Sequence, residues 1–144
     1  MKIVLQRVDK ARVDVEGQTV GAIDKGYVIF LGIAKGDTKE MVEQVVTKIE
    51  RLRIFADEEG KTNLNAAAVN GEILVISQFT LMAELRQNRP SFSHAAPADL
   101  ARELYEYFAE LCEGRFAKVQ TGQFAAHMHV YAENDGPFTL TIEY

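Results

Sequence analysis

The sequence predicts an α/β fold: a single compact domain in which a bent antiparallel or mixed β-sheet, barrel-like in curvature, is covered by two main helices. Three observations carry this reading. Strand-like apolar segments recur from the first residues to the last. Two segments alone, opening near Asp37 and Pro97, have helical spacing. No internal repeat, low-complexity tract or linker divides the 144 residues, so one domain, residues 1–144, is expected. A chain of that length buries roughly 70% of its unfolded surface and needs no disulfide or metal staple.

The elements follow in order. Ile3-Val4-Leu5 opens a strand that alternates through Val8, Ala11, Val13 and Val15. Glu16-Gly17 suits a hairpin turn, and Thr19–Ile23 the returning strand. Tyr27–Ile33 is apolar enough to be buried on both faces. Asp37 is placed as an N-cap with Glu40 at N3. Val42, Val45, Val46, Ile49 and Leu52 then form one apolar stripe on a helix ending near Arg53. Asp57-Glu58-Glu59-Gly60-Lys61 is a polar loop. Asn70-Gly71 starts a turn, and Glu72–Leu81 (EILVISQFTL) is a second apolar strand. Met82 to Ala96 is irregular. Pro97 suits the first turn of a second helix, with Leu100, Leu104, Phe108 and Leu111 inward and Gly114 as C-cap. Ala125–Ala132 and Phe138–Glu143 are expected as two strands flanking a turn, Asn134-Asp135-Gly136-Pro137.

Composition narrows the function classes. The hydrophobic fraction of 47% and charged fraction of 26% are those of a soluble globular protein. A formal net charge of -5 argues against a protein that coats nucleic acid by charge, though not against one that grips one end of an RNA. The lone cysteine, Cys112, permits no intrachain disulfide and reads as structural. Apolar runs such as Val28–Ile33 are too short to cross a bilayer. Met1-Lys2 leads straight into a strand pattern, not a signal peptide. A cytoplasmic location is expected.

Chemistry has few places to sit. Ser77-Gln78-Phe79-Thr80 closes an apolar strand, where alternation sets Ser77 and Phe79 on one side and Gln78 and Thr80 on the other. A strand end opening into a loop is a common position for a site; a strand fraying into solvent would look the same. Gly136-Pro137 offers a possible cis peptide bond and a rigid backbone element, or else a plain turn. His127 and His129, with His94, would be the ligands of a zinc site, but no further cluster has ligand spacing. No GxSxG elbow surrounds Ser77, Ser91 or Ser93, and neither a P-loop nor a GxGxxG fingerprint occurs. No metal or cofactor is expected.

Six motifs, however, stand in one order: Gln6-Arg7-Val8; Arg53-Ile54-Phe55; Gly60-Lys61 with Asn63-Leu64-Asn65; Ser77-Gln78-Phe79-Thr80-Leu81; Arg89-Pro90-Ser91-Phe92-Ser93; and Asn134-Asp135-Gly136-Pro137. Together they span nearly the whole chain, which resembles the D-aminoacyl-tRNA deacylase family. The resemblance implies a homodimer with its site at the subunit interface, binding the 3'-terminal aminoacyl-adenosine of tRNA, with no membrane or DNA partner. It places Ser77, Gln78, Phe79 and Thr80 in the catalytic pocket, with Met128 beside them. Gly136-Pro137 of the partner, with Asn134, would enter that pocket as a Gly-cis-Pro chiral gate braced by Arg7. Thr80 would be nucleophile or positioning residue. The chain departs from the family after Leu81, where the loop is one residue shorter and lacks the family's threonine and glycine, leaving Arg86 and Arg89 as phosphate-binding candidates. It departs again at His127, where the family tends to have aspartate.

Competing readings are an RNA-end binder without turnover, a zinc hydrolase, and a purely structural dimer.

Overall fold

The computed structural model describes residues 1–144. The sheet is organised around β1 (Lys2–Val15), which is paired along both edges. One edge meets β3 (Gly26–Gly32) over residues 2–8 and then β2 (Gln18–Ile23) over residues 11–15. The other edge meets β8 (His129–Glu143) from residue 2 to residue 14. Beyond β3 the sheet continues in parallel to β6 (Glu72–Ser77) and β7 (Lys118–Thr121). β7 then curls back against β2, where a Cβ on Gly21 would lie 2.7 Å from the Thr121 carbonyl oxygen. The absent side chain at Gly21 is what lets the mixed sheet come close to closing.

The curvature is written in β1. Its buried residues are Ile3 and Leu5, then Val8, then Ala11 and Val13. Spacing of two breaks to spacing of three on either side of Val8, and a pleat alternates with period two. The β1–β8 register shifts at those places, between Gln6 and Val8 and between Val8 and Lys10. Ile3 and Leu5 therefore join the larger core, while Val8, Ala11 and Val13 join a smaller one. β3 and β6 feed both cores by alternation: Tyr27, Ile29, Leu31, Ile73 and Val75 face the first, and Val28, Leu74 and Ile76 the second. That explains why both strands read as continuous apolar runs. The first core lies under the helices, and the second fills the barrel.

Helix α1 (Lys39–Arg51) buries Val42, Val45, Val46 and Ile49 as the stripe predicted. Its N-cap is Thr38, not Asp37: the Thr38 hydroxyl accepts from the Met41 N–H at 3.4 Å. Asp37 is instead buried, accepting from the Ala34 N–H at 2.7 Å and meeting the Met1 ammonium at 2.9 Å. A buried carboxylate needs such partners more than a solvent-facing helix end needs a cap. Helix α2 (Ala98–Cys112) buries Leu104, Tyr105, Phe108 and Cys112, leaving Leu100 and Leu111 half-buried. The inner stripe is thus rotated towards Cys112 relative to the expected one. Pro97 stands just outside the helix and Gly114 just past its end, with φ of 77°.

Three further differences bear on the site. The apolar segment expected as one strand to Leu81 leaves the sheet at Ser77, and Phe79–Met82 forms a 3-10 turn. A Cβ on Gly32 would lie 2.9 Å from Leu81 Cβ and 3.0 Å from the Gln78 carbonyl oxygen, so glycine in β3 makes room for that turn. β7 was not expected, and a short hairpin, β4 (Phe55–Ala56) with β5 (Thr62–Leu64), flanks the polar loop. Finally, the two expected C-terminal strands are one, β8, which passes through Asn134–Pro137 without reversing because β1 pairs with it on both sides of that stretch, up to Asn134 and again from Thr139. The Gly136–Pro137 peptide bond is cis. No helix is long and apolar enough to cross a membrane.

Candidate active site

A cleft of about 490 Å³ opens where β6 ends. Ser77, Gln78 and Phe79 line it from the end of β6, and Phe124, His127 and Met128 from the stretch that leads into β8. Small residues make the space between them: Ala95, Ala96, Ala98 and Ala101, from the lead-in and first turn of α2, present only methyl groups. A larger hollow of about 740 Å³ along α1, lined mostly by polar and charged residues such as Glu43, Lys48 and Arg51, gathers none of the motifs. A mostly apolar cleft with a few convergent polar groups has the character of a small-molecule site.

Backbone proximity sets the shape of the cleft. A Cβ on Gly122 would lie 2.6 Å from Met128 Sδ and 3.1 Å from Ile76 Cδ1, so glycine at 122 leaves the room in which Met128 packs beside Ile76 of β6. The Gly122 N–H donates to the Val75 carbonyl at 3.0 Å. From beneath, Tyr105 Oη on α2 donates to the same Val75 oxygen at 2.9 Å and lies 3.4 Å from the Gly122 carbonyl. Burial pushes the Tyr105 pKa up to about 12, which keeps this hydroxyl a donor at any physiological pH. Ala125, between Phe124 and His127 in the same stretch, holds φ of 63° without being glycine. Such backbone persists where the surroundings over-determine it, and it clusters at functional sites.

The 3-10 turn corrects the expected alternation of residues 77–80. Gln78 donates its N–H to the Leu31 carbonyl at 2.9 Å, fixing the end of β6. The N–H groups of Phe79 and Thr80 then open the turn, where no preceding carbonyl of the turn receives them. The Phe79 side chain stands 54% exposed at the rim, edge-on to Phe92 at 5.0 Å. Thr80 is exposed, does not line the cleft, and its hydroxyl is engaged by the Gln78 side-chain amide. An amide is no base, and no carboxylate or imidazole is bonded to that hydroxyl.

The remaining predicted residues lie outside the cleft. Arg7, Asn134, Gly136 and Pro137 line none of it. They meet where β8 crosses β1, with Asn134 opposite Val8. Arg7 is only 13% exposed. Its Nε lies 3.2 Å from the Asp135 carbonyl oxygen and 3.1 Å from Asp135 Oδ2. Its Nη1 donates to the Ile54 carbonyl, and its guanidinium lies 4.8 Å from the centre of the Phe138 ring. Gly136 and Pro137 are exposed on this support. The arginine thus holds the Asp135 backbone on one side of Gly136–Pro137 and the Phe138 ring on the other.

The histidines divide. The rings of His127 and His129 are 5.1 Å apart, edge to face, and His94 pairs with Glu84 at 2.8 Å. No three His, Cys, Asp or Glu side chains come together as a metal would require. Sequence reasoning missed the alanine wall and Phe124. An aromatic residue in an irregular stretch beside Ala125-Ala126 was the available signal; the alanines carried none.

The family model described as D-Tyr-tRNA(Tyr) deacylase matches residues 4–143. The chain is 51% identical to the D-aminoacyl-tRNA deacylase of Thermotoga petrophila over 144 residues, which cover 99% of this chain and 97% of that protein. It is 49% identical to that of Lactobacillus acidophilus, with 99% of each chain covered. Among solved structures, a c-Myc DNA unwinding element binding protein superposes with a TM-score of 0.94 at 39% identity, covering 100% of this chain and 99% of that one. A probable eukaryotic D-amino acid tRNA deacylase shares the fold, with a TM-score of 0.84 at 15% identity over 98% and 97% of the two chains. The chain belongs to the D-aminoacyl-tRNA deacylase family, hydrolases that act on aminoacyl-tRNA.

Proposed function

We propose that the cleft at the end of β6 receives the 3'-terminal aminoacyl-adenosine of tRNA and that Gly136–Pro137 of a second copy closes it as a chiral gate. The observation that carries this reading is the separation of the two halves. The cleft gathers Ser77, Gln78 and Phe79, while a braced, exposed backbone arch at Gly136–Pro137 lines none of it and stands elsewhere on the same chain. A homodimer with the site at its interface brings the halves together. The cleft volume suits a nucleoside, and Phe124 offers an aromatic face to a base.

In the reaction, a water oxygen bonds to the ester carbonyl carbon, the bond to the ribose 3'-oxygen breaks, and that oxygen leaves as a hydroxyl with a proton from the water. The products are free D-amino acid and tRNA. In this reading the N–H groups of Phe79 and Thr80, which no carbonyl of the turn receives, donate to the oxyanion that forms on the way. With its hydroxyl accepting from the Gln78 amide and no base at hand to take its proton, Thr80 is a positioning residue, not the nucleophile. Water, oriented by backbone groups and by the tRNA's own 2'-hydroxyl, attacks instead.

Selection follows from clash. A braced backbone cannot rotate away from an L side chain, whereas a methylene's worth of apolar contact discriminates by only about 1–3 kcal/mol. Glycine, with no side chain, passes the same gate, so glycyl-tRNA, including glycine mischarged on tRNA-Ala, is cleaved as well. The test is hydrolysis of D-tyrosyl-, L-tyrosyl- and glycyl-tRNA with EDTA present. Rapid loss of the D and glycyl esters alone is expected. Equal rates on both tyrosyl esters, or no glycyl cleavage above the uncatalysed rate, would sink the gate. Turnover of none would leave an RNA-end binder.

A further inference from the structure

We propose that residues 85–90, through Arg86 and Arg89, form a docking loop for the RNA backbone phosphates next to the cleft. This rests on the reading of the cleft as the seat of a tRNA 3' end, and it extends contact beyond the terminal nucleoside.

The loop is a built feature. Glu84 and Ser91 exchange two backbone hydrogen bonds, at 2.8 and 3.1 Å, and so pinch the base of the six residues between them. Glu84 is turned to His94 at 2.8 Å, which occupies the acid at the foot of the loop. Residues 85–90 are all exposed and include no carboxylate: Leu85, Arg86, Gln87, Asn88, Arg89 and Pro90.

The loop also adjoins the site. Immediately after its base, Phe92 packs edge-on against Phe79 at the cleft rim, and Ala95 and Ala96 line the cleft wall. A polymer with its terminal nucleoside in the cleft must leave past that rim.

Charge and position together mark the two arginines. The protein has eight arginines and a net charge of -5. Arg7, Arg12, Arg102 and Arg115 meet carboxylates, and Arg53 holds Asn63. Arg51, Arg86 and Arg89 have no acidic partner within 4.0 Å, and of these only Arg86 and Arg89 stand together on one loop at the cleft rim, Arg51 lying on α1. Two free guanidiniums flanking two side-chain amides present the donors that phosphate and sugar oxygens accept. An acidic chain thereby needs only this local basic point to accept RNA at one end.

The experiment is binding of uncharged tRNA by fluorescence anisotropy from 50 to 200 mM salt, on the wild type and on the Arg86→Gln/Arg89→Gln variant. Arg51→Gln, a change at an arginine on α1 that also lacks an acidic partner, is the control. Loss of two phosphate contacts should weaken binding about tenfold at the low-salt end and make the log–log salt slope shallower by roughly 1.4 to 1.8. The control should match the wild type. On D-aminoacyl-tRNA the double variant should raise KM with kcat within about twofold. An unchanged affinity and slope, or an equal loss in the control, overturns the proposal. A wild type that binds tRNA through these arginines but cleaves no ester overturns the deacylase reading of the cleft and leaves the docking loop standing.

Discussion

The cleft and the arch on β8 are held by opposite means. Around the cleft, space is made by what is missing: Gly32 and Gly122 let the 78–82 turn and Met128 lie against the sheet, and four alanines keep the far side open. At the arch, position is set by one long side chain, Arg7, which reaches Asp135, Ile54 and Phe138. The first arrangement tolerates no added atoms, while the second tolerates no removed ones. That contrast suits a receiving surface and an inserted stop, and it separates their failures: damage to one should cost rate, damage to the other selectivity.

The largest effect is expected where the cleft is tightest. Gly32→Val puts a branched side chain where even a Cβ lies 2.9 Å from Leu81. Forcing it in should cost about 1–3 kcal/mol of stability, and moving the Phe79–Thr80 donors by 1 Å should lower kcat/KM about 100-fold. Thermal unfolding and turnover on D-tyrosyl-tRNA check both. Full activity in this variant would mean that the turn takes no part in the reaction. At the arch, Arg7→Ala should cost about 2 kcal/mol or more, since it strips a largely buried charge from Asp135. Its distinguishing sign is a fall of about tenfold or more in the ratio of D to L cleavage, beyond any change in the D rate. If the rate falls and the ratio holds, Arg7 braces the fold and not a gate. The smallest effect is expected at Thr80→Ala, which removes a hydroxyl that accepts from the Gln78 amide and has no base bonded to it. A loss in kcat of less than about tenfold is anticipated, because general positioning is worth far less than a nucleophile. A drop of several orders of magnitude with tRNA affinity intact would make Thr80 the nucleophile.

How much of this was legible in the sequence depends on whether a feature is local. The apolar stripe of α1 and the double-faced burial of β3 were readable because each follows from periodicity within a few turns of chain. The N-cap misassignment at Asp37 arose because a buried ion pair with Met1 36 residues away outbid a local propensity. The same holds for β8. Asn-Asp-Gly-Pro is turn chemistry by any local rule, yet the free edge of β1 keeps the strand running through it. The polar change from Ser77 to Thr80 was recognisable as the end of an apolar strand, but its geometry was not, because the 3-10 turn depends on the glycine opposite it in β3. The alanine wall was silent, since alanine in a helix has no need of a special reason.

One feature of the fold also sets the order in which the molecule can assemble. Arg7 and Asp135 are 128 residues apart, and the two edges of β1 are filled by partners from opposite ends of the sequence distance scale: β2 and β3 nearby, β8 far away. Pairings of such separation form late, because closing the intervening chain must precede any gain from the contact. During synthesis, the near edge of β1 can zip while the far edge stays bare, an unpaired strand template of 14 residues. The nascent protein therefore carries β6 and the turn that follows it before the Gly136–Pro137 arch exists, and the far edge of β1 stays open until β8 has been laid down.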